Sequence, residues 1–133
     1  MPHVSKHKLE PKREKELLTS FTIIMSRIGR KPEMKDFLYS LLSHTERLML
    51  SKRLGIVMLL KEGLSEAEVA SILNITRQTV YRIKDSSEYK NNGYELALKA
   101  WRKDKQIKEF KKLLVGLAKY SIRASAGQIP TKL

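Results

Sequence analysis

Residues Ser65 to Lys84 read SEAEVASILNITRQTVYRIK, and this stretch decides the fold. Its apolar positions, Val69, Ala70, Leu73, Ile75, Val80 and Ile83, are spaced so that two short helices bury one face against each other. Ala70 is small where the second helix must cross closely. Asn74 stands at the turn, where a positive φ is needed and Asn tolerates it. Ser65 with Glu68 three residues later spells a capping box for the first helix, and Thr76 is a capping residue for the second. Arg77, Gln78, Thr79, Tyr81, Arg82 and Lys84 are left facing outward. The pattern predicts a helix-turn-helix that binds double-stranded DNA. The plainer alternative is a helical hairpin with a solvated polar face. Arg and Gln at the start of the second helix argue against it, because these side chains make bidentate bonds to guanine and adenine edges in the major groove.

Composition bounds what surrounds that stretch. The chain has 133 residues, 27 Lys+Arg against 14 Asp+Glu, a net charge of +13, and no cysteine. The charge suits a polyanionic partner, and RNA or an anionic surface would satisfy it equally well. Lack of cysteine removes disulfides, thiolate metal sites and thiol nucleophiles together. The apolar share of 41% is enough for a core, yet no run approaches a membrane span. The opening MPHVSKHKLEPKREK has no apolar centre of the kind a secretory signal carries. A cytoplasmic protein associated with the bacterial nucleoid is expected, with no membrane partner. Catalysis finds no support: His3, His7 and His44 are scattered, and no Gly-rich phosphate loop or paired-carboxylate motif is present. No enzyme and no metal site are expected.

Before the helix-turn-helix the pattern is helical as well. Residues 1–10 read as a disordered basic arm. Pro11 opens a helix to about Ile28 whose apolar stripe is Leu17, Leu18, Phe21, Ile24, Met25 and Ile28, and Gly29 ends it. Pro32 opens a shorter one through Leu42, with Met34, Phe37, Leu38, Leu41 and Leu42 turned inward. Ser43 and Glu46 form another capping box, starting a third helix from His44 to Glu62 that stops at Gly63. Its later half, Leu54 to Leu60, is apolar on nearly every side and is expected to be buried all round, with help from a second subunit in so small a chain. A homodimer also presents two recognition helices about one DNA turn apart. No strand pattern occurs, and the fold class is all-α: a multi-helix bundle with a helix-turn-helix.

The run from Phe37 to Ser86, with its leucine pair, Ser43, Glu46-Arg47, Leu50, Arg53, Ile56-Val57, the break at Gly63 and the ending Thr79-Val80-x-Arg82, resembles the Trp repressor superfamily, including its relatives of the YerC/YecD type. The order of elements, helix, short helix, long helix and helix-turn-helix, is similar too. The resemblance implies an intertwined all-helical homodimer that binds an operator and represses transcription. It also raises an effector. In the Trp repressor the indole lies between two arginines, and the matching positions here are Arg53 and Arg82, with Ser43, Thr79 and Ser86 at other ligand-side positions. One position departs: Ile83 replaces a glycine beside the ring, and a branched side chain occupies the space that the ligand needs. The expectation is no cofactor, with tryptophan or a similar effector disfavoured by Ile83.

Position within the second helix assigns roles on DNA. Arg77 and Gln78 read base edges, with Tyr81 one turn further on; Thr76 and Thr79 reach phosphate or a thymine; Arg82, Lys84 and Lys52 hold the backbone.

Beyond Ser86 the chain outgrows the quoted resemblance. Residues 87–93 read as a polar linker, and Tyr94 to about Ala124 as a long basic helix, with Lys103-Asp104 and Gly116 as points of interruption. The domain reading is therefore 1–10 arm, 11–86 Trp repressor-like domain with the helix-turn-helix at 65–84, 87–125 additional C-terminal helix, and 126–133 flexible tail. Lys99 to Arg123 holds nine basic and two acidic residues, which leaves three readings open: packing with solvated lysines, an additional DNA-backbone contact, and a membrane-surface helix. Two other functions also stay open. One is a DNA-recognition module related to transposases or recombinases, without its catalytic domain. The other is a protein that binds nucleic acid non-specifically by charge.

Overall fold

The structure is a computed structural model and describes residues 7–104, 107–114 and 116. Among them there are helices and connections but no strand, so the fold is all-α, as its sequence patterning requires. The chain divides into two units, Met1–Arg47 and Leu48–Leu133.

In the first unit α1 spans Pro11–Arg27, with proline in its first turn, and α2 spans Lys31–Leu41 with Pro32 placed likewise. A proline is tolerated there because the first-turn N–H groups have no partner inside the helix. The α1 stripe of Leu17, Leu18, Phe21 and Ile24 is exposed in the single chain. Of the α2 residues expected to turn inward, Met34, Phe37, Leu38 and Leu42 are half-buried, whereas Leu41 is exposed. Arg47 closes the corner after α2. Its Nη1 donates to the Leu42 carbonyl at 2.6 Å while the guanidinium lies 3.8 Å from the centre of the Tyr39 ring. The capping box at the start of the next helix is present: Glu46 N donates to Ser43 Oγ, and Ser43 N donates to Glu46 Oε1.

That helix, α3, runs His44–Lys61 and passes into the second unit, where α4 (Glu66–Leu73), α5 (Arg77–Glu88) and α6 (Asn91–Lys103) follow. The core sits here. Ile56 and Leu59 from α3, Val69 and Ala70 from α4 and Val80 from α5 form one buried cluster, and Val57, Met58 and Leu98 form a second. Each of these side chains apart from that of Ala70 contributes about 1.5–3 kcal/mol by leaving water, so the two clusters hold the unit together. Ile83 and Trp101 pack against both clusters. Leu54 departs from the expected all-round burial, at 42% exposed, two residues before the core begins at Ile56.

Two left-handed residues set the corners. Gly63, at φ +95°, ends α3 and lets Leu64 N reach back to the Leu59 carbonyl at 3.2 Å. Asn74, at φ 52° and ψ 56°, does the same for α4, with Ile75 N donating to the Ala70 carbonyl at 3.0 Å. Both are bonds from a residue to the carbonyl five before it, the signature of a Schellman turn.

The expected linker at 87–93 is corrected. The helix α5 continues to Glu88 and α6 begins at Asn91, leaving only Tyr89 and Lys90 between them. Ser87, the first residue of that expected linker, is helical, and its Oγ donates to the carbonyl of Lys84 three residues back, as Ser86 Oγ does to that of Ile83. The expected long helix also divides, at one of the anticipated points. Asp104 is extended, its carboxylate accepts from Ile107 N at 3.1 Å, and a new helical run occupies residues 107–114. The start of the N-terminal arm and the expected helix and tail beyond residue 116 lie outside the described residues.

Candidate nucleic-acid interface

The pair α4–α5 is built to display one face of α5. At the start of α4, Glu68 N donates to Ser65 Oγ and Ser65 N to Glu68 Oε1, so the capping box read from the sequence is complete. Thr76 caps α5, its Oγ1 accepting from Thr79 N at 3.1 Å. Inward, Val80 is fully buried and Ile83 is wedged between the two core clusters. That fixes the rotation of α5 about its axis. Outward, Arg77, Gln78, Tyr81 and Arg82 are exposed, Tyr81 at 50%. The spacing i, i+1, i+4, i+5 puts these four on one face. No acidic residue stands in the first turn of α5, so its N-terminal positive partial charge is left unneutralised. In contrast, α4 carries Glu66 and Glu68 in its first turn.

Other residues assigned to DNA are placed differently. Thr79 is half-buried, and its hydroxyl is 2.9 Å from that of Thr76. Lys52, on α3, is half-buried. Lys84 turns away from the Arg77–Arg82 group toward α4, where its Nζ donates to Glu66 Oε1 at 2.8 Å. That bond holds the Glu66 carboxyl below its ordinary range and the Lys84 ammonium above its own. Nothing in the local sequence signals the pair, since its members stand 18 residues apart.

A second charged centre also escaped the sequence reading. Glu62, just past α3, has a side chain only 9% exposed. Its Oε2 accepts from Lys111 Nζ at 2.6 Å and its Oε1 lies 3.5 Å from Arg102 Nε. The Lys111 bond is the main cause holding the Glu62 carboxyl below its ordinary range, against the opposing effect of burial. Leu114 packs on the first core cluster, so the run 107–114 is docked by apolar as well as ionic contact. Lys61 ties α3 to α6 in the same manner, donating to Asn91 Oδ1 and Glu95 Oε1 at 2.6 Å each.

The residues matched to an effector site have local duties. Ser43 is the α3 cap, and Ser86 Oγ donates to the Ile83 carbonyl. Arg53 is half-buried on α3 and Arg82 is exposed on α5. Ile83, the residue standing where the resemblance has glycine, is one of the contacts between α5 and the core clusters. No group of three or more His, Cys, Asp or Glu among the described residues is placed to hold a metal. No helix among them is long and apolar enough to cross a membrane.

Comparison with known proteins agrees with this geometry. A family model described as Trp repressor protein matches residues 16–102, from the second turn of α1 to the last turn of α6. The match thus passes beyond Ser86, where the resemblance quoted from the sequence stops, and ends before the run 107–114. No curated protein and no solved structure matches the chain.

Proposed function

The chain belongs to the Trp repressor family, and from that premise we propose that it is a sequence-specific, double-stranded-DNA-binding transcriptional regulator, a repressor that acts as a homodimer. The observation carrying this reading is the α4–α5 pair: capped at both helix starts, turned at a left-handed Asn74, and presenting Arg77, Gln78, Tyr81 and Arg82 on one open face. In such a motif the second helix enters the major groove by its N-terminal residues while the first crosses the backbone. Arg77 then pairs with a guanine edge and Gln78 with an adenine edge, each by two hydrogen bonds. Tyr81 makes apolar contact further along the groove. Arg82, with Lys52 and the hydroxyls of Thr76 and Thr79, meets phosphates, which fixes register without reading sequence. A binding protein of this kind needs no catalytic group.

The homodimer rests on apolar surface. Leu17, Leu18, Phe21 and Ile24 lie along one side of α1 and are exposed in the single chain. A stripe of that size on an isolated helix is costly in water unless a second chain covers it. Two-fold pairing would set two copies of α5 about 34–36 Å apart, one turn of B-DNA. Occupation of such a site within a promoter blocks transcription by exclusion. The protein needs no effector in this scheme: Ile83 fills the position beside which a tryptophan ring would lie, and removing it from the core would cost α5 its seat.

Selection of bound duplexes from a random DNA pool, with and without tryptophan, tests the reading. The expected result is one enriched pseudo-palindrome with half-sites a helical turn apart, the same in both conditions, bound by a particle of twice the chain mass. A pool that stays random through repeated rounds would contradict it.

A further inference from the structure

Lys84 reads from the sequence as a phosphate contact, but its position points to another task. It stands two turns into α5, and its Nζ donates at 2.8 Å to Oε1 of Glu66, the first residue of α4. Glu66 and Asn74 sit at opposite ends of α4. At about 1.5 Å of rise per residue that helix is roughly 12 Å long. The helix α5 is therefore tied to α4 at two separated points: covalently through the Asn74 turn, and ionically through the Lys84–Glu66 bond at the far end. Between these points, among the described residues, Val80 and the half-buried Ile83 are the α5 side chains packed on the core clusters. Apolar contacts carry no directional preference, so two neighbouring ones on α5 oppose separation of the helices more than they oppose a pivot about the contact. A fixed bond far from the turn removes that freedom.

The carboxylate in turn is well placed to be the fixed member. Glu66 lies in the first turn of α4, where the helix end favours negative charge, and the neighbouring capping box of Ser65 and Glu68 holds that turn independently of it. The Glu66 side chain is only 25% exposed, against 42% for Lys84.

We propose that Lys84 is a positioning residue rather than a phosphate ligand: its ion pair with Glu66 sets the angle between α4 and α5 and so the alignment of Arg77, Gln78 and Tyr81 with base edges. The inference rests on the reading of α5 as a recognition helix. It assigns sequence discrimination to two residues that touch no base.

The test measures affinity of the full chain for its selected duplex and for a random duplex across a range of KCl, with Lys84→Met, Glu66→Gln, their double variant, and the exchanged pair Glu66→Lys/Lys84→Glu. Lys84→Met keeps the aliphatic stem, and Glu66→Gln leaves the capping box intact, so both variants retain the fold. Positioning predicts that each single change lowers the ratio of selected to random affinity about three- to tenfold. The double variant should lose no more than either single one, and the exchanged pair should recover most of the ratio. The slope of affinity against salt should not change. A phosphate contact predicts the opposite pattern. Lys84→Met would then weaken all duplexes equally and reduce the slope by about 0.9. Glu66→Gln would strengthen binding by removing a negative charge, and the exchanged pair would be the weakest of all. That second pattern, or an exchanged pair that recovers nothing while the wild type still selects its site, overturns the proposal alone. A wild-type chain that selects no duplex removes the recognition reading and the proposal with it.

Discussion

Replacement of Asn74 isolates the feature on which the α4–α5 pair turns. Its backbone is left-handed, φ 52° and ψ 56°, and the conformation allows Ile75 N to bond the Ala70 carbonyl at 3.0 Å. Asparagine and alanine both bring a Cβ close to the following carbonyl oxygen there, but the short polar side chain of asparagine offsets that crowding by local hydrogen bonding, and alanine is left with the cost of about 1–2 kcal/mol. A valine adds a second branch, and strain at such a site reaches about 3 kcal/mol. Glycine meets no such clash. It gives back only the extra freedom it has in the unfolded chain, on the order of 0.4–1 kcal/mol. The expected stability order is therefore wild type and Asn74→Gly close together, then Asn74→Ala, then Asn74→Val. Urea unfolding followed by Trp101 fluorescence reads it directly, because Trp101 is the one tryptophan and packs on both core clusters. DNA selectivity should follow the same order. Asn74→Val as stable as Asn74→Gly would refute the reasoning, since it would mean that the corner is not left-handed in solution.

Three other expectations follow from the same structure. Gln78→Ala should relax base preference at one position of each half-site, at a cost of about 1–3 kcal/mol there and little elsewhere, as read by competition among single-base variants of the selected duplex. Gly55→Ala should stabilise the fold by about 1 kcal/mol through helix propensity, because an added Cβ meets the Leu73 side chain at ordinary contact distances, Cδ1 at 3.5 Å and Cδ2 at 3.8 Å; a lower urea midpoint would show that something else lies against that position. Acid should loosen the C-terminal docking. The Glu62 carboxyl is held below its ordinary range, chiefly by Lys111, so its contribution is complete above the ordinary glutamate range and is lost as pH falls through the lower folded-state value. Trp101 emission should change there, and a Glu62→Gln variant that shows the same step would contradict the assignment.

The elements that positioned the interface were legible because their signals are local. Ser65 with Glu68, Ser43 with Glu46, Thr76, Asn74 and Gly63 each act within five residues along the chain, and each takes the role its chemistry assigns. The Ile56–Leu59 centre of α3 was equally plain from its unbroken apolar run. What escaped were pairings between distant residues. Lys84 with Glu66 and Glu62 with Lys111 are separated by 18 and 49 residues, and an exposed-looking lysine carries no mark of the carboxylate it will meet. The 87–93 segment misled for a different reason: Ser, Asn and Gly favour turns in isolation, but the Ser87 hydroxyl bonds a carbonyl inside α5 and the Asn-Asn-Gly run opens α6. Leu41 and Leu54 show a third limit, since a residue's hydrophobicity does not by itself decide whether it is buried.

The central claim is that the open face of α5 lies in the major groove of DNA, once per half-site. Methylation interference at guanine N7 on the selected duplex tests this most directly, because N7 faces only the major groove and is the atom that an arginine fork reaches. The account predicts loss of binding when either of two guanines about one helical turn apart is methylated. Both effects should vanish in Arg77→Ala. Binding indifferent to methylation at every guanine of a site that contains them, or interference that persists unchanged without Arg77, would contradict it.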